Sequence, residues 1–149
     1  MTMKKTLTLA GSDSSGGAGI QADLKTFQEH GVYGMTALTS IVAMEPNTWS
    51  HDVTPIDVEI VAKQLQTILS IGIDAMKTGM LGTAEIIAEV AAWWDETYRG
   101  PVAGGAGVHA AAPVLVVDPV MVATSGDRLL EPEAEESLIE FLHRADLIT

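Results

Sequence analysis

The sequence contains no cysteine, so neither a disulfide framework nor a thiolate metal site can be built from it. Basic residues are scarce as well: 8 lysines and arginines stand against 20 acids, a formal charge of -12. With so little positive field the chain cannot displace counterions from a phosphate backbone, which removes nucleic acid from the expected partners. No stretch approaches the roughly 18 consecutive apolar residues that a membrane-crossing helix needs. The early apolar run, Leu7 to Ala10, is too short for the core of a secretion signal. The expectation is a cytoplasmic protein with no membrane partner. At 149 residues and 47% apolar, the chain has the size and composition of one folded domain.

What the sequence does have is an alternation of strand and helix signals. Residues 4–10, "KKTLTLA", alternate and run into glycine, as a strand does when it ends in a loop. Residues 18–30 set Ile20, Leu24 and Phe27 at helical spacing, a stripe expected to be buried, and His30-Gly31 closes the pattern. "MTALTSIVAM", residues 35–44, is uncharged and rich in β-branched residues, a strand expected to be covered on both faces. After the breaks at Pro46 and Pro55, residues 57–71 place Val61, Leu65, Ile68 and Leu69 on one helical stripe. "IDAMKTGML" reads as a short buried strand, with Thr83 as the cap of the next helix and Glu85 in its first turn. That helix carries Ile86, Ile87, Val90, Ala91, Trp94 and Tyr98 on its apolar face and leaves Trp93 half exposed at a contact surface. "PVLVVDPVM" is the most apolar strand, a last helix spans residues 133–143, and "ADLIT" opens one more strand.

Strands interleaved with amphipathic helices predict an α/β fold, a three-layer α/β/α sandwich on a mostly parallel sheet. Ligands of such sheets sit beyond the carboxyl ends of the strands, which collects the loops after Ala10, Met44, Lys77 and Val117 along one edge. The sequence stops at Thr149 on a strand signal, so the domain is expected to be truncated. The open sheet edge and Trp93 make a homodimer an expected form of association. Residues 99–113, "RGPVAGGAGVHAAAP", lack periodicity and read as a flexible Gly/Ala-rich insertion.

The stretch "AGSDSSGGAGIQADLKTF", residues 10–27, sits between a strand and a helix, where glycine-rich turns often cradle phosphate. Gly11 and Gly16 have P-loop spacing, but Gly17 stands where the phosphate-reaching lysine must be, so that motif is excluded. Gly17, Gly19 and Ala22 fit the Rossmann fingerprint, with Glu45 as the later acid, which keeps a dinucleotide-binding domain as an alternative. Asp23 argues against it. At about 100° per residue it lies roughly 60–70° from the centre of the apolar stripe, where a carboxylate repels pyrophosphate and accepts from a hydroxyl, an amine or a ring N–H. Asp23 equally suits the positive end of the helix without any ligand. Asp118, at the end of a strand and followed by proline, has two readings, a Mg²⁺-proximal acid beside phosphates or a turn-forming Asp-Pro pair. Lys77 either balances phosphate charge or solvates a strand end, and "TSGD", residues 124–127, reads as a polar turn. His30, His51, His109 and His143 share no ligand spacing, and no nucleophile elbow occurs.

Four segments taken in order, "LTLAGSDSSGGAGIQADLKTF", "GVYGMTALTSIVAM", "IDAMKTGMLGT" and "VVDPVMVATSGDRLL", resemble the hydroxymethylpyrimidine/phosphomethylpyrimidine kinases and the related pyridoxine/pyridoxal kinases of the ribokinase superfamily. The resemblance covers nearly all of the chain except residues 99–113. It implies a ribokinase-like fold and ATP-dependent phosphorylation, with Mg²⁺, of the hydroxymethyl group of a small heteroaromatic alcohol in thiamine or vitamin B6 metabolism. By resemblance the ring substrate is bound at Gly11, Ala18, Asp23, Val42, Met44, Met80 and Val120, and Asp118 matches the acid near metal and phosphates. A non-catalytic ring-binding fragment is a further alternative.

Two departures from the family pattern bear on function. Pyrimidine-specific members carry an amide where this chain has Met44, and a thioether recognises an amino group poorly, which tilts the substrate towards pyridoxine or pyridoxal. The "AMEPNTWSHDV" stretch, residues 43–53, resembles B6-active relatives and leans the same way. The family's magnesium-organising asparagine/glutamate motif and its glycine-rich anion hole with the catalytic residue are both missing. No catalytic residue is therefore expected within these 149 residues, which resemble the N-terminal half of such a kinase. By resemblance the catalytic group is expected beyond Thr149.

Overall fold

The computed structural model describes residues 3–99 and 112–149, so most of the expected Gly/Ala-rich insertion lies outside the described residues. The elements are β1 (Lys5–Asp13), α1 (Gly19–Glu29), β2 (Tyr33–Met44), β3 (His51–Pro55), α2 (Val58–Ile71), β4 (Ala75–Thr78), α3 (Ala84–Trp94), β5 (Val114–Val117), α4 (Glu135–Leu142) and β6 (Leu147–Ile148). They form one sheet in the order β3-β2-β1-β4-β5-β6. Every pairing is parallel except that of β2 with β3. The strand expected at "ADLIT" is present as β6, and the Thr149 amide carries its ladder on by donating to the Val117 carbonyl at 3.1 Å. No helix of the described residues is long and apolar enough to cross a membrane.

The chain winds from β1 outwards to β2 and then returns to the other side of β1 for β4. The carboxyl ends of β1 and β4 therefore diverge into a crevice, the topological switch point at which open α/β sheets bind their ligands. Helices α2, α3 and α4 pack side by side on one face, while α1 lies against β1 and β2. The core sits under the three-helix layer. Val61, Leu65, Ile86, Ile87, Val90, Leu138 and Phe141 close on Leu7, Leu9, Met76, Leu115 and Val117, all at most 2% exposed. The expected cap is in place, the Thr83 hydroxyl oxygen accepting from the Ile86 amide, and the structure adds a second at the start of α2, where the Asp57 carboxylate accepts from the Glu59 amide.

The structure corrects several expectations. Strand β3 replaces a segment read as a break. The Glu45 carboxylate accepts the amides of Asn47 and Thr48, both at 2.8 Å, and folds the chain into an antiparallel hairpin. Glu45 is thereby consumed by its own turn, which removes the acid that a dinucleotide ribose would require. The α1 stripe is only half-buried: α1 packs on β1 and β2, its Leu24 and Phe27 resting on the side-chain-free patch at Gly34 of β2. Leu69 is 44% exposed, one position beyond the stripe that Val61, Leu65 and Ile68 define. Trp93 is buried at 8% exposure. A π-turn over Asp95–Arg99 brings Tyr98 back against both tryptophans, with ring centroids 5.6 and 4.9 Å away, so Trp93 offers no contact surface.

Candidate functional site

The loop after β1 is curled on itself by Asp13. Its carboxylate accepts from the Ser15 amide at 2.8 Å, the Ser15 hydroxyl at 2.9 Å and the Ala18 amide at 2.9 Å. The Gly16 amide donates to the Asp13 carbonyl at 3.0 Å and the Gly17 amide to the Ser15 hydroxyl oxygen at 3.3 Å. Four consecutive amides, residues 15–18, are thus spent inside the loop. An anion cradle needs such groups free and aimed outwards, so this turn is not built as one. Gln21 ties the start of α1 to the strand end, accepting from the Asp13 amide at 2.9 Å and donating to Ser12 at 2.7 Å.

Burial alone would raise the Asp13 carboxyl, but the Ser15 and Ala18 hydrogen bonds outweigh it and hold the group below its ordinary value. A carboxylate depressed in the folded state adds stability above its unfolded value and loses it as the pH falls through the folded one. Asp13→Asn is therefore expected to flatten the fall of Tm with acidification below about pH 4. Thermal unfolding of the two proteins across that range checks this, and parallel curves would show that the loop does not depend on the charge.

Beside the loop, Asp23 reaches down from the first turns of α1. The Thr8 hydroxyl, fully buried in β1, donates to its Oδ2 at 2.6 Å. Lys77, from β4, donates to Oδ1 at 3.2 Å and Oδ2 at 3.1 Å. The same ammonium stands 4.0 Å from Asp118 Oδ2. Lys77 accordingly spans the crevice between the two carboxylates, with Asp23 sheltered at 18% side-chain exposure and Asp118 open at 41%.

These residues line a cavity of about 310 Å³, near the lower end of the roughly 300–1,000 Å³ typical of small-molecule sites. Gly11, Ala18, Asp23, Val42, Met80, Val120 and Asp118 all lie on its wall. A Cβ at Gly11 would stand 2.6 Å from Met80 Cε and 2.8 Å from Ser40 Oγ, so any larger residue there displaces side chains at the cavity wall. Met44 is not among the lining residues. Alternation keeps it on the face of Val42 but carries it past the mouth, and its cross-strand partner His51 borders the cavity instead.

Asp13, Lys77 and His51 are lining residues that sequence reasoning did not assign to the ring site. The Asp-Ser-Ser order of a loop bound through its own side chain was a usable signal for Asp13. His51 had none, because its anchor, Asp127 at 3.0 Å, is 76 residues away. The turn expected at "TSGD" is present, and Asp127 belongs to it. Ser125 and Asp127 approach the same ring nitrogen of His51, at 3.4 and 3.0 Å, an arrangement without the relay geometry of a serine nucleophile.

The sequence profile described as phosphomethylpyrimidine kinase matches residues 13–149. The chain belongs to that family. It is 54% identical over 144 residues to the pyridoxine kinase of Bacillus subtilis, covering 95% of this chain and 48% of that protein. It is 44% identical over 144 residues to the hydroxymethylpyrimidine/phosphomethylpyrimidine kinase of the same organism, again 95% and 48%. Among solved structures it matches pyridoxal kinase from Staphylococcus aureus in complex with pyridoxal at TM-score 0.80 and 49% identity, over 99% of this chain and 49% of the other. The same enzyme in complex with ADP matches at TM-score 0.78 and 50% identity, over 99% and 49%. The family's ribokinase-like fold is thus the fold of this chain, which spans about half the length of the curated relatives it matches.

Proposed function

We propose that this chain forms the ring-binding part of an ATP-dependent kinase that phosphorylates the hydroxymethyl group of a pyridine or pyrimidine alcohol. The observation that carries the reading is the cavity at the β1/β4 crevice. One carboxylate, Asp23, is fixed there by Thr8 and Lys77 among the apolar Val42, Met80 and Val120. Such a wall takes the faces of a flat ring, while Asp23 keeps a lone pair on Oδ1 for a donor on the ring edge. The spent amides of the loop support a ring rather than a phosphate at this end. Pyridoxal or pyridoxine is favoured over hydroxymethylpyrimidine. Met44, which stands where an amide would be needed for the pyrimidine, supports that choice from outside the lining. The higher identity to pyridoxine kinase adds to it.

In this reading Asp118, at the open end of the crevice, faces the phosphates of ATP. The described residues contain no group of three or more side chains that could hold a metal. A single exposed carboxylate fits Mg²⁺, which keeps most of its waters and rides on nucleotide phosphates. When bound, that ion would neutralise charge on the transferring phosphoryl group. The chain's own residues bind and orient: Asp23 sets the ring in its plane, the apolar wall excludes water from the ring faces, and Lys77 bridges the two carboxylates.

None of the described residues provides the glycine-rich set of donors that stabilises a transferring phosphoryl group, and we place that part, with the catalytic residue, beyond Thr149. Titration calorimetry is expected to give saturable binding of pyridoxal and no binding of NAD. Incubation with ATP, Mg²⁺ and pyridoxal is expected to give no phosphate transfer above a protein-free blank. Preferential binding of NAD would sink the ring reading, and clear turnover would sink the division of labour at Thr149.

A further inference from the structure

His51 is a polar residue of the cavity wall that the reading above leaves without a task. It opens β3 and is gripped by Asp127, whose Oδ2 accepts from the His51 amide at 3.0 Å, from ring Nδ1 at 3.0 Å and from the Ser125 hydroxyl at 2.9 Å. The ring hydrogen bond of His51, followed by its amide and Ser125, holds the Asp127 carboxyl below its ordinary range. An ionised carboxylate only accepts, so Nδ1 carries the proton of this hydrogen bond, and a neutral ring so held has its lone pair on Nε2. Asp127 is not part of the cavity wall, whereas His51 is. The two nitrogens of an imidazole face away from each other, so Nε2 is turned from Asp127, and the ring that carries it belongs to the cavity wall. Among the described residues Nε2 takes part in no hydrogen bond.

Resting on the ring-binding reading, we propose that His51 Nε2 is a specificity-determining acceptor for a hydrogen-bond donor carried by the ring, with Asp127 as the residue that positions it. The donor is the phenolic hydroxyl of a pyridinol or the exocyclic amine of an aminopyrimidine. Both present an N–H or O–H to a lone pair, and a ring without one leaves a sheltered acceptor unpaired.

The test titrates the unmodified chain and His51→Ala with two pairs of compounds. One pair is pyridoxine and 3-deoxypyridoxine; the other is hydroxymethylpyrimidine and its analogue lacking the amine. His51→Ala is expected to weaken a parent compound roughly tenfold and to leave the analogue without the donor unchanged, and the pair that shows this names the donor. Equal weakening of parent and analogue, or no weakening of either parent, overturns the inference. Failure of the unmodified chain to bind either parent overturns the ring reading itself, and this inference with it. Long-range proton–nitrogen NMR at about pH 8, above the usual range of imidazole, reads the positioning separately. The proton is expected on Nδ1, with a shift towards Nε2 in Asp127→Ala. A proton on Nε2 in the unmodified protein would refute the role of Asp127.

Discussion

Asp23→Ala is expected to weaken pyridoxal binding by a factor of roughly ten to a hundred, the worth of one charge-assisted hydrogen bond and the geometry it fixes. The same change strips two partners at once. The Thr8 hydroxyl has no solvent exposure and would be left without an acceptor, and Lys77 would lose the nearer of its two counter-charges. Together these cost about 2–4 kcal/mol of stability. Asp23→Asn separates the effects, because its amide oxygen still accepts from Thr8 while the charge facing Lys77 disappears. The asparagine protein is expected to lose about 1–2 kcal/mol and still bind the ring poorly. Urea unfolding and calorimetry on both variants make the comparison. A folded Asp23→Asn protein that binds pyridoxal as well as the unmodified chain would move the ring elsewhere.

Gly19→Ala is expected to be as damaging, by a different route. Gly19 opens α1 with φ at 60°, a conformation that costs an alanine about 1–2 kcal/mol. A Cβ there would also collide with the Gly11 carbonyl oxygen and stand 3.1 Å from the Asp13 amide nitrogen. Backbone cannot swing aside as a side chain does, so the strand end or the helix start must shift, for a total of about 2–4 kcal/mol. Gly11 and Asp13 both line the cavity, and pocket geometry should fail together with stability. The checks are the urea midpoint and the pyridoxal isotherm. An alanine protein within about 0.5 kcal/mol of the original, with binding intact, would show that the loop tolerates what the geometry forbids.

The parallel part of the fold was legible because each βαβ unit writes its own period. Leu65 and Ile86 sit where helical spacing puts buried residues, and Thr83 caps α3 as its position before an apolar run implies. Asp23 could be placed on the flank of its helix by angle alone. Strand β3 was not legible. Its five residues include a histidine, an aspartate and a proline, and its pairing depends on the carboxylate turn at Glu45 rather than on its own composition. The partners of the site were hidden for a related reason. Lys77 meets Asp23 across 54 residues and His51 meets Asp127 across 76, and no local pattern encodes a meeting set by strand order. Trp93 misled because helix spacing ignored the return of Tyr98 after the helix ends.

The central place of β1 has a kinetic side. Its pairing with β2 closes a short stretch of chain, since only α1 separates the two strands. Its pairing with β4 brings together parts of the chain some 70 residues apart, as the Lys4–Asp74 contact does. That closure is slow and entropically costly. Lys77, Gly79 and Met80 arrive with β4 or just after it, so the cavity does not exist before β4 has docked on β1. A ring that fills it binds only the finished arrangement. Such a ring would slow the unfolding that starts with the departure of β4, and it would report from within the site on the docking of that strand.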